Sequence, residues 1–308
     1  MEKFLSCDWG TTSFRLRLID KEGLGILAEE QSLKGIAETF AAWKQKDGNA
    51  ERRLSFYLSI IDQHIKLIEK KLPAFLDNIP VVISGMASAS IGMIELPYKI
   101  LPFKIDGSDM EMHTIAASKD FAHTVTIISG VRTENDVIRG EETQLIGAYD
   151  VASPDAETIF IFPGTHSKHI VVKDNRAIRF TTYMTGEFFD LLSKRSVLSL
   201  SVSSGGSIEV LQNKQSFEQG VKDGSVSNLL HQSFLVRTND LFQKRNKEEN
   251  YFYLSGLLLG AELTHLQNET YSTVTVVSNT SLYPSYVLAL HTLGIKNIQY
   301  HNGAEATI

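Results

Sequence analysis

Two short turns rich in glycine and hydroxyl side chains carry the first chemical signal. Asp8 leads into Gly10, Thr11, Thr12 and Ser13, and Gly164, Thr165, His166, Ser167 and Lys168 repeat the Gly, Thr and Ser positions at an offset of 154 (164 − 10). Turns of this kind direct backbone N–H groups and hydroxyls into one small volume, which is what a phosphate chain requires. A Walker pattern, G-x-x-x-x-G-K-[ST], does not occur. Asp8 stands beside the first turn, where one carboxylate with water suits Mg2+. The expectation is two turns facing each other across a cleft and holding the β- and γ-phosphates of a nucleotide from both sides. Taken singly, either turn also reads as an ordinary hairpin connection.

The elements that must position these turns follow from periodicity. Phe4 to Asp8 is an apolar run, Phe14 to Ile19 alternates apolar and basic residues, and Ile26 to Ser32 returns as a third strand. Leu54, Leu58, Ile61, Ile65, Ile68 and Leu72 form one helix face that ends at Pro73. Buried strands at Val81–Ser84 and Val125–Ser129 each run into a glycine, Gly85 and Gly130, and ligands in open α/β sheets collect at such ends. The second half repeats the plan with strands at 158–163, 168–173 and 177–183. Helices are expected at 186–196 and 251–266, followed by a strand at 273–277 and a closing helix at 283–293. The chain reads as an internal duplication in two domains, 1–152 and 153–308, with the boundary at the turn Ser153-Pro-Asp155.

Composition removes several classes of function. Across 308 residues, 30 basic against 36 acidic side chains give a formal charge of −6, so bulk charge draws the protein to neither nucleic acid nor anionic lipid. Cys7 alone cannot make an intramolecular disulfide or a multi-cysteine zinc site. No secretory signal or membrane span is expected, and a cytoplasmic enzyme is the simplest compartment reading. Gly23-Leu-Gly25-Ile-Leu-Ala28 matches a dinucleotide fingerprint but precedes a strand, not a helix. Gly256 and Gly260 read as a site of close helix packing.

Longer strings carry a family resemblance. Asp8-Trp-Gly-Thr-Thr-Ser13 resembles the first phosphate motif of the sugar kinase, hsp70 and actin superfamily. Ser84-Gly-Met86, Glu95-Leu-Pro-Tyr98, Ser129-Gly-Val-Arg132, Asp136-Val-Ile-Arg-Gly-Glu-Glu-Thr-Gln144, Pro163-Gly-Thr-His-Ser-Lys168, Met184-Thr-Gly-Glu187 and Tyr253-Leu-Ser-Gly-Leu257 resemble one branch of it, the 2-dehydro-3-deoxygalactonokinase family. The resemblance implies two ribonuclease H-like, actin-like α/β domains around a central active-site cleft. It further implies ATP- and Mg2+-dependent phosphorylation of the 6-hydroxyl of 2-dehydro-3-deoxy-D-galactonate in galactonate breakdown.

Roles follow from that resemblance. Glu141 and Glu142 stand where related kinases carry a catalytic Asp. Neighbours on a helix project about 100° apart, so one of them faces the reaction; Glu141 is preferred and the choice stays open. Arg132 and Arg139 are candidates for the substrate carboxylate, with Gly85, Met86, Ser88 and Tyr98 around the sugar. Adenosine is expected at Ser278, Asn279 and Thr280. Two further readings remain, a kinase for another small sugar or sugar acid and a nucleotide-binding regulator without transfer activity. The partners expected are a sugar acid and ATP, with oligomeric state left open.

Overall fold

The apolar alternation of the first thirty or so residues folds into three antiparallel strands, β1 (Lys3–Trp9), β2 (Phe14–Asp20) and β3 (Ile26–Ser32). The structure, a computed structural model, describes residues 2–46, 48–72, 75–149, 156–278, 281–303 and 305–307. It divides into two units, Met1–Tyr149 with Ala304–Ile308, and Asp150–Gly303. The boundary expected between residues 152 and 153 lies outside the described residues. The last residues group with the first unit, whereas the sequence expectation grouped them with the second.

In the first unit, α1 (Ile36–Lys46) and α2 (Arg53–Glu69) lead to β4 (Val81–Gly85). Tyr57, Ile61, Ile65 and Ile68 of α2 are buried, with Leu54, Leu58 and Leu72 partly buried against the same core. Each fully buried side chain of this kind contributes about 1.5–3 kcal/mol, against roughly 0.3–0.5 kcal/mol for an exposed i,i+4 pair such as Lys66–Asp62. The apolar face therefore fixes the helix. It stops at Glu69, and the expected stop at Pro73 lies outside the described residues. Short strands follow: β5 (Lys99–Ile100), β6 (Phe103–Lys104), β7 (Met112–Ile115), β8 (Val125–Ile128), β9 (Val131–Arg132) and β10 (Val137–Ile138), then α3 (Glu141–Ala148). The main sheet has the order β3-β2-β1-β4-β8-β7, with β1, β4 and β8 mutually parallel, and β10-β9-β5 form a small second sheet.

The second unit has β11 (Thr158–Phe162), β12 (Ser167–Lys173), β13 (Arg176–Tyr183), α4 (Thr185–Arg195), α5 (Leu211–Val226), α6 (Leu229–Leu241) and α7 (Lys247–Leu263). It ends with β14 (Thr273–Ser278), α8 (Tyr283–Thr292) and β15 (Ile298–Asn302). Its strands run β15-β14-β11-β12-β13, antiparallel among β11, β12 and β13 and parallel among β11, β14 and β15. Antiparallel strands 3-2-1 continued by two parallel strands form the core of both units, the ribonuclease H-like order. Even the irregularities correspond, with register shifts at Leu18/Ile19 and at Val171/Val172.

Two expectations change. Helix α7 starts at Lys247, ahead of Tyr251, because Asn246 and Glu249 form a capping box. Helix α8 is not the last element: β15 follows, and then a 3-10 turn at Glu305–Thr307. Ser6 Oγ donates to the Thr307 carbonyl at 2.8 Å and buried Arg17 Nη1 donates to Thr307 Oγ1 at 2.9 Å, which ties that turn to β1 and β2. Three of the five residues of β15 are Gln299, His301 and Asn302 and none of the five is buried, so no apolar run announces it. No helix among the described residues is long and apolar enough to cross a membrane.

Helices α5 and α7 approach until their backbones touch. A Cβ on Gly256 would stand 2.1 Å from the Phe217 carbonyl oxygen, and one on Gly220 would stand 2.2 Å from that of Tyr253. Any side chain at these positions must push the helices apart. Gly256→Ala is expected to destabilise the protein by on the order of 3 kcal/mol, the upper range for overpacking. Chemical denaturation measures this, and unchanged stability would mean that the helices are not so close.

Candidate active site

In the first unit, Trp9 pairs with Phe14 and leaves Gly10 to Ser13 as the connection, closed by Gly10 N–H donating to the Ser13 carbonyl at 2.9 Å. Thr11, Thr12 and Ser13 are exposed. Ile36 and Ala37, at the start of α1, donate to the carbonyls of Gly10 and Thr11 at 2.9 and 3.1 Å. In a trans peptide the N–H points opposite to the C=O. The amides of Thr11 and Thr12 therefore point away from the helix, as an anion site needs. Gly35 makes this possible, since a Cβ there would lie 2.3 Å from the Thr11 oxygen.

Asp8, near the end of β1, lies opposite Arg15 on β2 and beside Ser84 on β4. Burial raises its carboxyl above the ordinary range, Arg15 and Arg17 act against this, and the charge of Glu141 raises it further. The start of α3 thus lies within electrostatic reach of the end of β1. Gly85 and Gly140 stand where the two approach: a Cβ on Gly140 would lie 3.5 Å from the Gly85 Cα, and Gly85 itself, with φ +86°, packs so close to β1 that a Cβ there would lie 2.7 Å from the Trp9 oxygen.

The two glutamates differ. Glu142 is fully buried and accepts from Gly140 N–H with both oxygens at 2.8 and 2.7 Å. Burial first, and then the charge of Glu141, push its carboxyl up to about 8. Glu141 is only partly buried and accepts from Arg139 N–H at 3.0 Å.

Arg139 stacks over the Tyr98 ring at 4.3 Å and donates through Nη1 to Ser88 Oγ. Ser88, expected to meet a substrate hydroxyl, is fully buried, so its oxygen holds the arginine instead. Met86 is partly buried against the core. Arg132 is exposed on β9, with no side-chain partner among the described residues.

In the second unit, Phe162 pairs with Lys168 around a loop in which Thr165 and His166 are exposed. Glu187 N–H, at the start of α4, donates to the Thr165 carbonyl at 2.9 Å, and a Cβ on Gly186 would lie 2.5 Å from the Gly164 oxygen. This bracing repeats that of the first loop. His166 Nε2 contacts Glu187 Oε2 at 2.6 Å. Lys168 is buried, with its ammonium donating to the His166 carbonyl at 2.7 Å. Ser167, expected to contact phosphate, is also fully buried, because as the first residue of β12 it faces inward; its hydroxyl donates to Glu262 Oε1 at 2.7 Å.

Beside this loop lies a cavity of about 510 Å3 lined by Gly164, Thr185, Gly186, Gly205, Gly206 and Ser207, with Phe189, Tyr251 and Leu282 among its larger walls. Its size suits a small-molecule ligand. Ser278, expected at the adenosine, is buried at the end of β14 and does not line this cavity, Asn279 and Thr280 lie outside the described residues, and Ser281 is part of the lining. Gly35 and Gly205 to Ser207 are not among the residues singled out from the sequence, and Gly186 appears there only within the string Met184-Thr-Gly-Glu187. The run Ser203-Ser-Gly-Gly-Ser207 was the available signal for Gly205 to Ser207.

Comparison with known proteins accords with the geometry. The 2-keto-3-deoxy-galactonokinase family model matches residues 8–308. A protein of Rhizobium meliloti strain 1021 assigned as a 2-dehydro-3-deoxygalactonokinase is 32% identical over 269 residues, 84% of this chain and 79% of its own length. The 2-dehydro-3-deoxygalactonokinase of Escherichia coli K12 is 27% identical over 300 residues, 95% of this chain and 90% of its own. A crystal structure from Sinorhizobium meliloti assigned to the same activity superposes with a TM-score of 0.81 at 26% identity, covering 99% of this chain and 93% of that one. The chain belongs to the 2-keto-3-deoxy-galactonokinase family and is an ATP-using phosphotransferase.

Proposed function

We propose that the protein transfers the γ-phosphoryl group of ATP to the 6-hydroxyl of 2-dehydro-3-deoxy-D-galactonate, in the cytoplasm, with Glu141 as the base. The hydroxyl oxygen bonds to phosphorus, the bond to the β–γ bridging oxygen breaks, ADP leaves and the proton passes to the Glu141 carboxylate. Such transfer requires positioning and charge stabilisation more than covalent chemistry from the protein. The observation that carries the assignment is the division of labour in α3: Glu142 is buried on its own backbone, while Glu141 stays accessible and electrostatically coupled to Asp8.

Mg2+ fits this site. Asp8 is a hard carboxylate donor, and the mutual repulsion of Asp8 and Glu141 is what a cation relieves. When bound, the ion would neutralise charge on the phosphates. Asp8 would hold it, and the Gly10–Ser13 loop would offer amides and hydroxyls to the same phosphates. In the second unit, the exposed Gly164–His166 loop and the cavity beside it support binding of the nucleotide. The planar fork of Arg139, fixed by Tyr98 and Ser88, suits the sugar-acid carboxylate, and Arg132 supplies a second cation.

Coupled ADP release with Mg-ATP tests the substrate. The galactonate-derived acid is expected to turn over in preference to its gluconate-derived epimer and to simple sugars, and equal turnover of either competitor would overturn the substrate assignment. Glu141→Gln should lower kcat by roughly 10²–10⁴-fold, the usual contribution of a positioned base, while the KM for ATP stays within about twofold. Retained turnover would exclude Glu141. Replacing Arg132 or Arg139 by Met should raise the KM for the sugar acid about tenfold and leave that for ATP unchanged.

Glu142 sets a pH dependence of stability. Its folded pKa of about 8 lies above the ordinary 4.5, so the folded state keeps a proton that the unfolded chain releases. This contribution is complete below the ordinary value and drains away as pH rises through about 8. Glu142→Gln keeps an acceptor for Gly140 N–H and removes the titration. Its melting temperature should gain on the parent's progressively between about pH 5 and about pH 8, with turnover retained. A difference that does not vary with pH would exclude a buried titrating Glu142.

A further inference from the structure

Helix α7 carries a carboxylate that the proposed reaction does not use. Glu262 is 2% exposed, yet four side chains from three elements of the second unit, β12, α4 and α8, converge on it. Ser167 Oγ at the end of the loop donates to Oε1 at 2.7 Å, and His169 Nε2 on β12 meets the same oxygen at 2.9 Å. Tyr286 Oη on α8 donates to both carboxylate oxygens at 3.1 Å. The Thr185 side chain, at the start of α4, is a further hydrogen-bond partner. Burial alone would raise the carboxyl, but the bond and charge of His169, with the Thr185 and Ser167 hydroxyls, bring it below the ordinary range. An isolated buried carboxylate costs several kcal/mol, so this one stays charged only because its partners are fixed around it.

Two of those partners, Thr185 and Tyr286, also line the cavity beside the Gly164–His166 loop. A third, Ser167, is the residue on which that loop ends. We propose that Glu262 is a positioning residue for the nucleotide: one buried carboxylate sets the loop, the start of α4 and the start of α8 at fixed spacing before ATP arrives. The inference rests on the reading of this cavity as the nucleotide site. Preformed donors bind without the entropy cost of ordering, and a loosened shell loses affinity for what it holds and not for a ligand bound elsewhere.

Glu262→Gln in the full-length chain tests this, because the amide keeps the size and one acceptor oxygen but gives up the charge. The KM for ATP and the ADP dissociation constant should rise about tenfold or more, the usual loss when a supporting partner is removed, with the KM for the sugar acid within about twofold. Tyr286→Phe, which removes one hydroxyl, should raise the KM for ATP by a few-fold with the same selectivity, and it decides the matter if Glu262→Gln does not fold. Unchanged nucleotide affinity in the folded variants, or equal losses for both substrates, would overturn the proposal. Ser285→Trp, which fills the cavity, separates the two layers of inference. If it leaves the KM for ATP unchanged, the nucleotide reading of the cavity fails. If it raises that KM while Glu262→Gln and Tyr286→Phe do not, the role of Glu262 alone fails.

Discussion

A helix amide bonded to a loop carbonyl, across a gap that only glycine leaves open, is the contact on which both phosphate-type loops depend. Ala37 N–H reaches the Thr11 oxygen at 3.1 Å and Glu187 N–H reaches the Thr165 oxygen at 2.9 Å. Gly35 and Gly186 stand at these contacts, with would-be Cβ atoms 2.3 and 2.5 Å from loop oxygens. Tying the carbonyls to the helix turns the following amides the other way, so the bracing also fixes the direction in which those amides point. A hairpin tip without such bracing would have to order itself around each ligand, at roughly 1–2 kcal/mol per residue.

This constraint explains why the duplication was legible in the strands and loops but not throughout. Gly10 with Gly164 and Thr11 with Thr165 occupy the same turn in both units, and the apolar strands before each turn show it by run and alternation. The supporting glycines lie outside the repeated string, at different distances along the chain, and spacing alone did not find them. Helix α5 was invisible for another reason. Of its six buried positions only Phe217 and Val221 carry large apolar side chains, and the other four are Asn213, Ser216, Gly220 and Gly224, so most of the face it turns inward is small or polar. Two apolar residues four apart are too few to mark a sixteen-residue helix by apolar periodicity. The capping box of α7 and the largely polar β15 escaped in the same way, since neither appears as an apolar pattern.

Candidate residues chosen by type divide according to which way their strand or helix turns them. Ser13 and Thr165 are exposed on their loops, while Ser167 and Ser88, of the same chemistry, are fully buried and hold Glu262 and Arg139. The adjacent glutamates are the sharpest case. Roughly 100° of helix rotation puts Glu142 into the core and leaves Glu141 at the edge. Desolvation then separates their chemistry: a carboxyl pushed up to about 8 keeps its proton near neutral pH and is a poor acceptor for another. The sequence could supply the pair. Only the packing around α3 could tell its members apart.

Packing and chemistry meet most closely in α7. Glycine contacts let α5 press against one face of this helix, with a Cβ on Gly260 only 2.1 Å from the Val221 oxygen, and Glu262 lies two residues further on. The depth to which α7 seats therefore sets how far the carboxylate reaches under Ser167 and Thr185. Close backbone approach is usually read as a device for stability. Here the same approach brings a charge to hydrogen-bonding distance of the loop terminus, because a side chain on a helix moves with its axis and a hydrogen bond weakens steeply over a few tenths of an ångström. A methyl group between α5 and α7 would thus be felt twice, as overpacking in the core and as slack beneath the loop.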